Sequence, residues 1–390
     1  MAERGPSPAS QPPRAAIACG GTGGHLFPGL AVAAELRQRH CAVTLMISRK
    51  EVDQQAVRSM TGMDIVQLPA IGLGRGGLPG FLWGFWQSYR LARRRFQREN
   101  PSVVLAMGGF TSAPAVLAGK RCGARTFLHE SNSIPGRANR WLAPWVDGAF
   151  VYFPGAGQRL RARKVEVAGM PVRTEILAPM SASEARRALG LAVESPVLLV
   201  MGGSQGARQV NDLVLQAARR IHQEIAGLQF VHLTSPADAP TVRQAYQAMQ
   251  ARAIVPGFFD DMRAALAAAD VAVSRAGASS LAELAARGLP AVLIPYPSAA
   301  DNHQFYNARA LAEAGAARML EQSEAGSLAD EVIALFRDAS KRAAMRQALA
   351  GWCAPGAAAE IAEKILQAGS RLGQSHETLF KAAGAREKLC

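Results

Sequence analysis

One local pattern recurs along this chain and limits what it can fold into: a strand-length apolar run, a glycine-rich turn, then a stretch with helical periodicity. Ala15–Cys19 runs into Gly20-Gly21-Thr22-Gly23-Gly24, followed by apolar positions at Leu30, Val32, Ala33 and Leu36. Ser102–Ala106 runs into Met107-Gly108-Gly109, then Ala113–Ala118. Val197–Val200 runs into Met201-Gly202-Gly203-Ser204-Gln205-Gly206, then a helix through Val210, Leu213 and Leu215. Strands that alternate with helices in this way build parallel, helix-covered sheets, the α/β class. The pattern restarts at Gly202 after a segment, Gly169 to Ser183, that carries Pro171 and Pro179. At 390 residues the chain exceeds one ordinary core, so it is read as two similar domains facing each other, over 15–175 and 176–350. A last helix over 351–369 is expected to return to the N-terminal domain. Residues 1–14, rich in Pro, Ser and Ala, are expected to form a disordered leader, and 370–390 a polar tail.

The turns suggest phosphate chemistry. The first invites a dinucleotide reading, but G-x-G-x-x-G begun at Gly20 or Gly21 needs a third glycine at His25 or Leu26. No acidic residue ends the next strand, Val43–Ile47, which runs into Ser48. What remains is a backbone loop opening a helix, whose free N–H groups and positive end attract an anion. One such turn is equally a plain strand-to-helix connection. Three of them, split between two domains, point to a pair of diphosphate-bearing substrates. His25 directly follows the first loop, where its imidazole can take a proton from an acceptor or hydrogen-bond to it. In the second half, Ser274-Arg275-Ala276-Gly277-Ala278-Ser279-Ser280 leads to Glu283. Ser280 with Glu283 matches a helix capping box; alternatively Glu283, in the first helical turn, accepts the hydroxyls of a ribose. Asp301-Asn302-His303-Gln304 and Asn307 add amide and imidazole partners for sugar hydroxyls. The chain holds no D-x-D triplet, so loop amides, helix dipoles and arginine are expected to stabilise a leaving diphosphate without a metal or other cofactor.

The formal net charge of +14 fits an anionic membrane, a phosphate-rich substrate or nucleic acid. Its placement favours the first. Ile71, Leu73, Leu78, Phe81, Leu82, Trp83, Phe85 and Trp86 precede Arg90, Arg93, Arg94, Arg95 and Arg98, and Trp141 and Trp145 lie beside Arg137 and Arg140. Rings next to guanidinium groups suit a surface that sinks into the headgroup layer and pairs with lipid phosphate. A nucleic-acid module would use similar residues but leaves the glycine turns without a purpose. The longest apolar run, Val103 to Gly119, is broken by Gly108, Gly109 and Pro114, so the chain is expected to lie on a membrane rather than cross it. Five scattered cysteines (Cys19, Cys41, Cys122, Cys353, Cys390) form no C-x-x-C pair and read as reduced cytosolic thiols.

In combination and in order, Gly20–His25 with Pro28, Met107-Gly108-Gly109-Phe110, His129-Glu130-Ser131-Asn132, Gly202–Ala207 and Arg275–Ala278 with Glu283 resemble the peptidoglycan N-acetylglucosaminyltransferases that convert lipid I to lipid II. The resemblance spans roughly Ala15 to Gly369. It implies a GT-B fold, two Rossmann-like domains with parallel sheets facing across a cleft, and an inverting, metal-free transfer at the cytoplasmic face of the cell membrane. It implies UDP-N-acetylglucosamine and lipid I as substrates and no nucleic acid. Thr22, Gly23, Gly24, His25, Gly109, Glu130 and Asn132 would then line the acceptor side or reacting centre. Arg173, Ser204, Gln205, Phe258, Phe259, Ala278, Ser279, Ser280, Glu283, His303, Gln304 and Asn307 would meet the donor, with Thr22, Gly23, Gly24 and Asn132 also within its reach. Phe81, Leu82, Trp83, Trp86, Arg90 and Arg94 would form the membrane patch. The chain departs from the family at Phe110, often Tyr, at His303, commonly Gln, and at Ser279, often a larger apolar residue. The competing readings are another lipid-acceptor UDP-sugar transferase and a UDP-N-acetylglucosamine 2-epimerase; the latter has no use for a basic aromatic surface.

Overall fold

A computed structural model describes residues 12–21, 23–50, 54, 63–70, 72, 77–202, 208–257 and 259–370. The leader through 11, the tail from 371, Thr22, Ile71, Leu73, Ser204, Gln205 and Phe258 therefore lie outside the described residues.

Two parallel sheets organise the chain. The first has the order β3-β2-β1-β4-β5-β6-β7, from β1 (Arg14–Ala18), β2 (Ala42–Ser48), β3 (Asp64–Leu68), β4 (Val103–Ala106), β5 (Arg125–Glu130), β6 (Gly148–Val151) and β7 (Val165–Val167). The second has the order β10-β9-β8-β11-β12-β13, from β8 (Val197–Met201), β9 (Gln229–Leu233), β10 (Ala253–Ile254), β11 (Val271–Ser274), β12 (Ala291–Leu293) and β13 (Arg318–Met319). Their strands are apolar runs rather than alternating ones because helices cover both faces. In β1, Ala15 and Ile17 face one layer and Ala16 and Ala18 the other, the two-residue period of a strand.

The first layer is unusual in its parentage. Ala15, Ile17, Val43, Leu45, Val103 and Leu105 pack under the helix Gly23–Gln38 and also under Ala358, Ile361, Ala362 and Ile365 of the final helix, 357–370. Helix 357–370 thus completes the core begun by β1. On the opposite face, the helix Gly77–Glu99 buries Gly84, Ser88, Ala92 and Phe96. Small residues at four-residue spacing let it lie close against the helix Ser112–Arg121.

In each sheet the strand order reverses beside the founding strand: between β1 and β4, and between β8 and β11. Open α/β sheets bind ligands in the crevice outside the carboxyl ends of their strands at such a switch point. The turns Gly20–Gly24 and Met107–Gly109 follow β1 and β4, and Gly202 and Arg275–Gly277 follow β8 and β11. The recurring sequence pattern therefore brings its glycines to the two places where a doubly wound sheet opens.

Candidate active site between the two sheets

On the N-terminal side, His25 occupies the first turn of Gly23–Gln38, against the turn after β4. A Cβ added at Gly108 would lie 2.9 Å from His25 Nε2, and one at Gly109 would lie 3.2 Å from His25 Nδ1 and 2.7 Å from Gly20 O. Both glycines have positive φ, 105° and 80°. A side chain at either would be strained and would displace the imidazole. Two buried hydroxyls staple the turns: Thr111 Oγ accepts from Gly20 N at 3.2 Å and donates to Gly20 O at 3.1 Å, and Ser112 Oγ donates to Gly108 O at 2.6 Å.

Glu130 ends β5 with its carboxylate enclosed. Oε1 accepts from Asn132 N (2.8 Å), and Oε2 accepts from Gly136 N (2.9 Å) and Asn139 Nδ2 (2.9 Å). Burial pushes its pKa up while these bonds pull it back. Glu130 thus shapes the Asn132–Asn139 loop; its oxygens face their own chain. Asn139 in turn lies beside Gly108, so Glu130, Asn139, Gly108 and His25 form one contiguous cluster.

On the C-terminal side, the helix Ala278–Arg287 starts at N-cap Gly277 with no side-chain cap, which leaves its first amides unclaimed by side chains. Ser280 is therefore inside the helix, and the capping-box reading of Ser280 and Glu283 does not hold. Glu283 lies in the second turn rather than the first, 3.5 Å from Arg173. The Arg173 guanidinium stacks on Phe27, 4.5 Å from the ring centre. Burial raises the Glu283 pKa and Arg173 opposes the rise. Arg275 is buried and donates to Ile294 O (3.1 Å), Pro295 O (2.9 Å), Gln209 Oε1 (3.3 Å) and Gln322 Oε1 (3.2 Å), tying together the loops that rim the crevice. Phe259 packs partly buried on the core. His303 Nδ1 donates to Ala300 O at 2.8 Å, and Gln304 Oε1 accepts from Tyr296 N at 3.0 Å, so both shape the loop before the helix His303–Glu313.

The two sides meet directly. Asn307, fully buried, accepts at Oδ1 from Ser133 N and Ser133 Oγ (both 2.9 Å) and donates to Asn132 Oδ1 (3.0 Å) and Ala276 O (3.1 Å). Ser279 Oγ donates to Gly24 O at 3.3 Å. Arg137 and Arg140 pair with Asp301 at 3.2 and 2.5 Å. Asn132, Ser279 and Asn307 are thus brought together as a clasp across the cleft. The sequence reading missed Thr111, Ser112, Ser133 and Asn139; the only local signal for the first two was a hydroxyl pair directly after a glycine turn.

Away from the cleft, Gly77–Glu99 exposes Leu78, Leu82 (55%), Trp83 (59%) and Trp86, with Trp141 (51%) and Trp145 exposed nearby. Trp83 stacks on Trp86 at 5.2 Å, and Arg90 lies over Trp86 at 4.5 Å. Phe81 is half-buried against Phe85, 6.3 Å between ring centres, and Phe85 meets Trp141 edge-on at 6.5 Å. Arg94 is exposed, whereas Arg95 pairs with Asp64 and Glu99. No described helix is long and apolar enough to cross a membrane. Among the described residues, no group of three or more His, Cys, Asp or Glu side chains is placed to hold a metal ion.

Two doubly wound parallel sheets with their switch points turned toward a shared cleft define the GT-B fold. Residues 15–151 match the glycosyltransferase family 28 N-terminal domain and 197–365 its C-terminal domain. The chain belongs to glycosyltransferase family 28. It is 38% identical to the UDP-N-acetylglucosamine–N-acetylmuramyl-(pentapeptide) pyrophosphoryl-undecaprenol N-acetylglucosamine transferase of Sorangium cellulosum, covering 95% of this chain and 92% of that one. It is 37% identical to the transferase of the same name from Desulforudis audaxviator, covering 92% and 100%. Among solved structures, MurG of Acinetobacter baumannii superposes with a TM-score of 0.70 at 26% identity, covering 91% of this chain and 100% of that one. The UDP-GlcNAc 2-epimerase of Neisseria meningitidis superposes at 0.67 with 16% identity over 91% and 100%, a likeness of fold.

Proposed function

We propose that this chain transfers N-acetylglucosamine from UDP-N-acetylglucosamine to the N-acetylmuramyl-(pentapeptide) sugar of a pyrophosphoryl-undecaprenol lipid, the lipid I to lipid II step of peptidoglycan synthesis. The observation that carries this reading is end-to-end similarity to transferases of that name, 38% identical over 95% of the chain. The epimerase alternative has only the shared fold, at 16% identity.

The cleft supports a division of labour. The acceptor's diphosphate binds at the start of Gly23–Gln38, where helix amides and the helix dipole favour an anion. UDP binds at the uncapped start of Ala278–Arg287, whose amides stabilise the charge that develops on the leaving diphosphate. Glu283, steadied by Arg173, takes the ribose hydroxyls. An acceptor hydroxyl attacks the anomeric carbon, UDP departs from the opposite face, and neutral His25 takes the hydroxyl proton, inverting the anomeric centre. Leu82, Trp83 and Trp86 with Arg90 and Arg94 seat the enzyme on the cytoplasmic face of an anionic membrane, the surface where its lipid substrate lies.

The test is incubation with labelled UDP-N-acetylglucosamine and a short-chain lipid I analogue, with products identified by mass. Addition of one N-acetylhexosamine to the acceptor is the expected result. Release of the free C2 epimer without acceptor modification would refute the transferase reading.

A further inference from the structure

A lysine outside every glycine turn reaches into two of them. Lys50 follows β2, which neighbours β1 in the sheet, and its backbone N–H is fixed by a 3.2 Å bond to Ser48 Oγ. Its half-buried side chain donates from Nζ to Gly21 O at 2.6 Å, and the ammonium lies 5.4 Å from the centre of the Phe110 ring. That ring in turn covers Gly21: a Cβ there would lie 3.1 Å from Phe110 Cε1. Lys50 thus spans the turns after β1 and β4 at the carboxyl edge of the sheet.

Among the described residues Lys50 pairs with no carboxylate, whereas Lys164, Lys341 and Lys364 each do. Its positive charge stands at the positive end of Gly23–Gln38, whose first turn contains no acidic residue. The ammonium adds to the positive pole of the helix, and the two together favour an anion placed between them. One ammonium N–H is engaged by Gly21 O and the aromatic face stabilises the cation. The group still has donors to offer, since an ammonium carries three.

We propose that Lys50 binds the diphosphate of the lipid acceptor, its ammonium closing the site that the two glycine turns open. The inference rests on the transfer reaction above and adds to it the cation that balances the acceptor's charge. That diphosphate neither forms nor breaks a bond during transfer, so the contact is the same in ground and transition states. Uniform binding of this kind appears in KM and not in kcat.

The experiment measures initial rates of the parent, Lys50→Ala, Lys50→Gln and Lys50→Arg with UDP-N-acetylglucosamine and the short-chain lipid I analogue, each substrate varied in turn. A charge-assisted hydrogen bond lost to the acceptor should raise its KM roughly 10- to 100-fold in the Ala and Gln variants, with kcat changed less than about threefold. The donor KM should stay at the parent value. Lys50→Arg should restore most of the acceptor KM, because it restores the cation. An unchanged acceptor KM in folded Lys50→Gln would overturn the assignment, as would Gln matching Arg. A rise in donor KM instead would place Lys50 against UDP and overturn it equally. A parent that forms no product would sink the transfer reading and this inference with it. Product formation with an indifferent Lys50 would sink this inference alone.

Discussion

His25 has two jobs open to it, and one substitution separates them. As the base, it must be neutral to act, so protonation at low pH silences it. His25→Ala should then lower kcat by about 10²–10⁴-fold with UDP affinity nearly unchanged, and the acid limb of the parent's pH–rate profile should vanish. A rise in acceptor KM alone, with the limb preserved, would make His25 a binding residue. A second histidine sets stability instead. His232 is buried between Asn211, which accepts from Nε2 at 3.0 Å, and Tyr246, whose hydroxyl donates to Nδ1 at 3.0 Å. Burial lowers its pKa from 6.5 to about 4. The unfolded chain therefore binds the proton first, and stability is lost as pH falls from the unfolded value towards 4. The loss amounts to about 3 kcal/mol, at 1.36 kcal/mol per unit. Urea unfolding at successive pH values should show this slope, and His232→Asn should reduce it to the part owed to His129, likewise buried with its pKa lowered to about 4, while lowering stability at neutral pH. At this scale the sequence singles out residues that sit inside a motif, such as His25 and Glu283. Thr111 and Lys50 were not visible, because their partners Gly20 and Gly21 are brought near by strand pairing rather than by nearness along the chain.

Helix boundaries show how a local rule misleads. Ser280 and Glu283 have the spacing of a cap, yet the helix begins at Ala278, after a glycine that offers no side chain. A capping box does occur, at Ser181 and Glu184, where both reciprocal bonds form in an ordinary connecting helix. The helix start at the cleft is one of several that no side chain caps. Patterning served better for Gly77–Glu99, where aromatic and basic residues were legible as a surface, although the sequence did not separate half-buried Phe81 from exposed Trp83. Exposure now selects the substitutions. Replacing Leu82, Trp83 and Trp86 together by Ser should reduce sedimentation with anionic liposomes by about tenfold or more, with UDP binding retained. Equal liposome binding by the folded variant and parent would rule out this helix as the contact.

Across the whole molecule, two parallel sheets were legible from the repeated strand–turn–helix unit, and so was a cleft between them. The clasp was not. Asn307 looked like a sugar ligand because amides suit hydroxyls, but its four hydrogen bonds are made to Ser133, Asn132 and Ala276, residues far away in sequence. Long-range closure also governs the N-terminal core, where Ile361 and Ile365 are fully buried beside Ile17 and Leu105. Ile361→Ala or Ile365→Ala should each cost about 2–5 kcal/mol. Hydrogen exchange should locate the loss: amides of β1, β2 and β4 should exchange faster, while those of β8 and β11 keep their protection. Uniform loss across both sheets would contradict this placement.

The same closing helix bears on how the protein is made. Strands β1 to β7 are complete once Val167 has been synthesised, yet the helix that covers one face of their sheet begins only at 357. At about 5–20 residues per second, the ribosome needs on the order of 10–40 s to travel between them. For that interval Ile17, Leu45 and Leu105 have only part of their cover, while the second sheet is still emerging. The nascent chain therefore carries a half-roofed apolar layer until residues 357–370 have emerged. The N-terminal half matures last, although it is synthesised first.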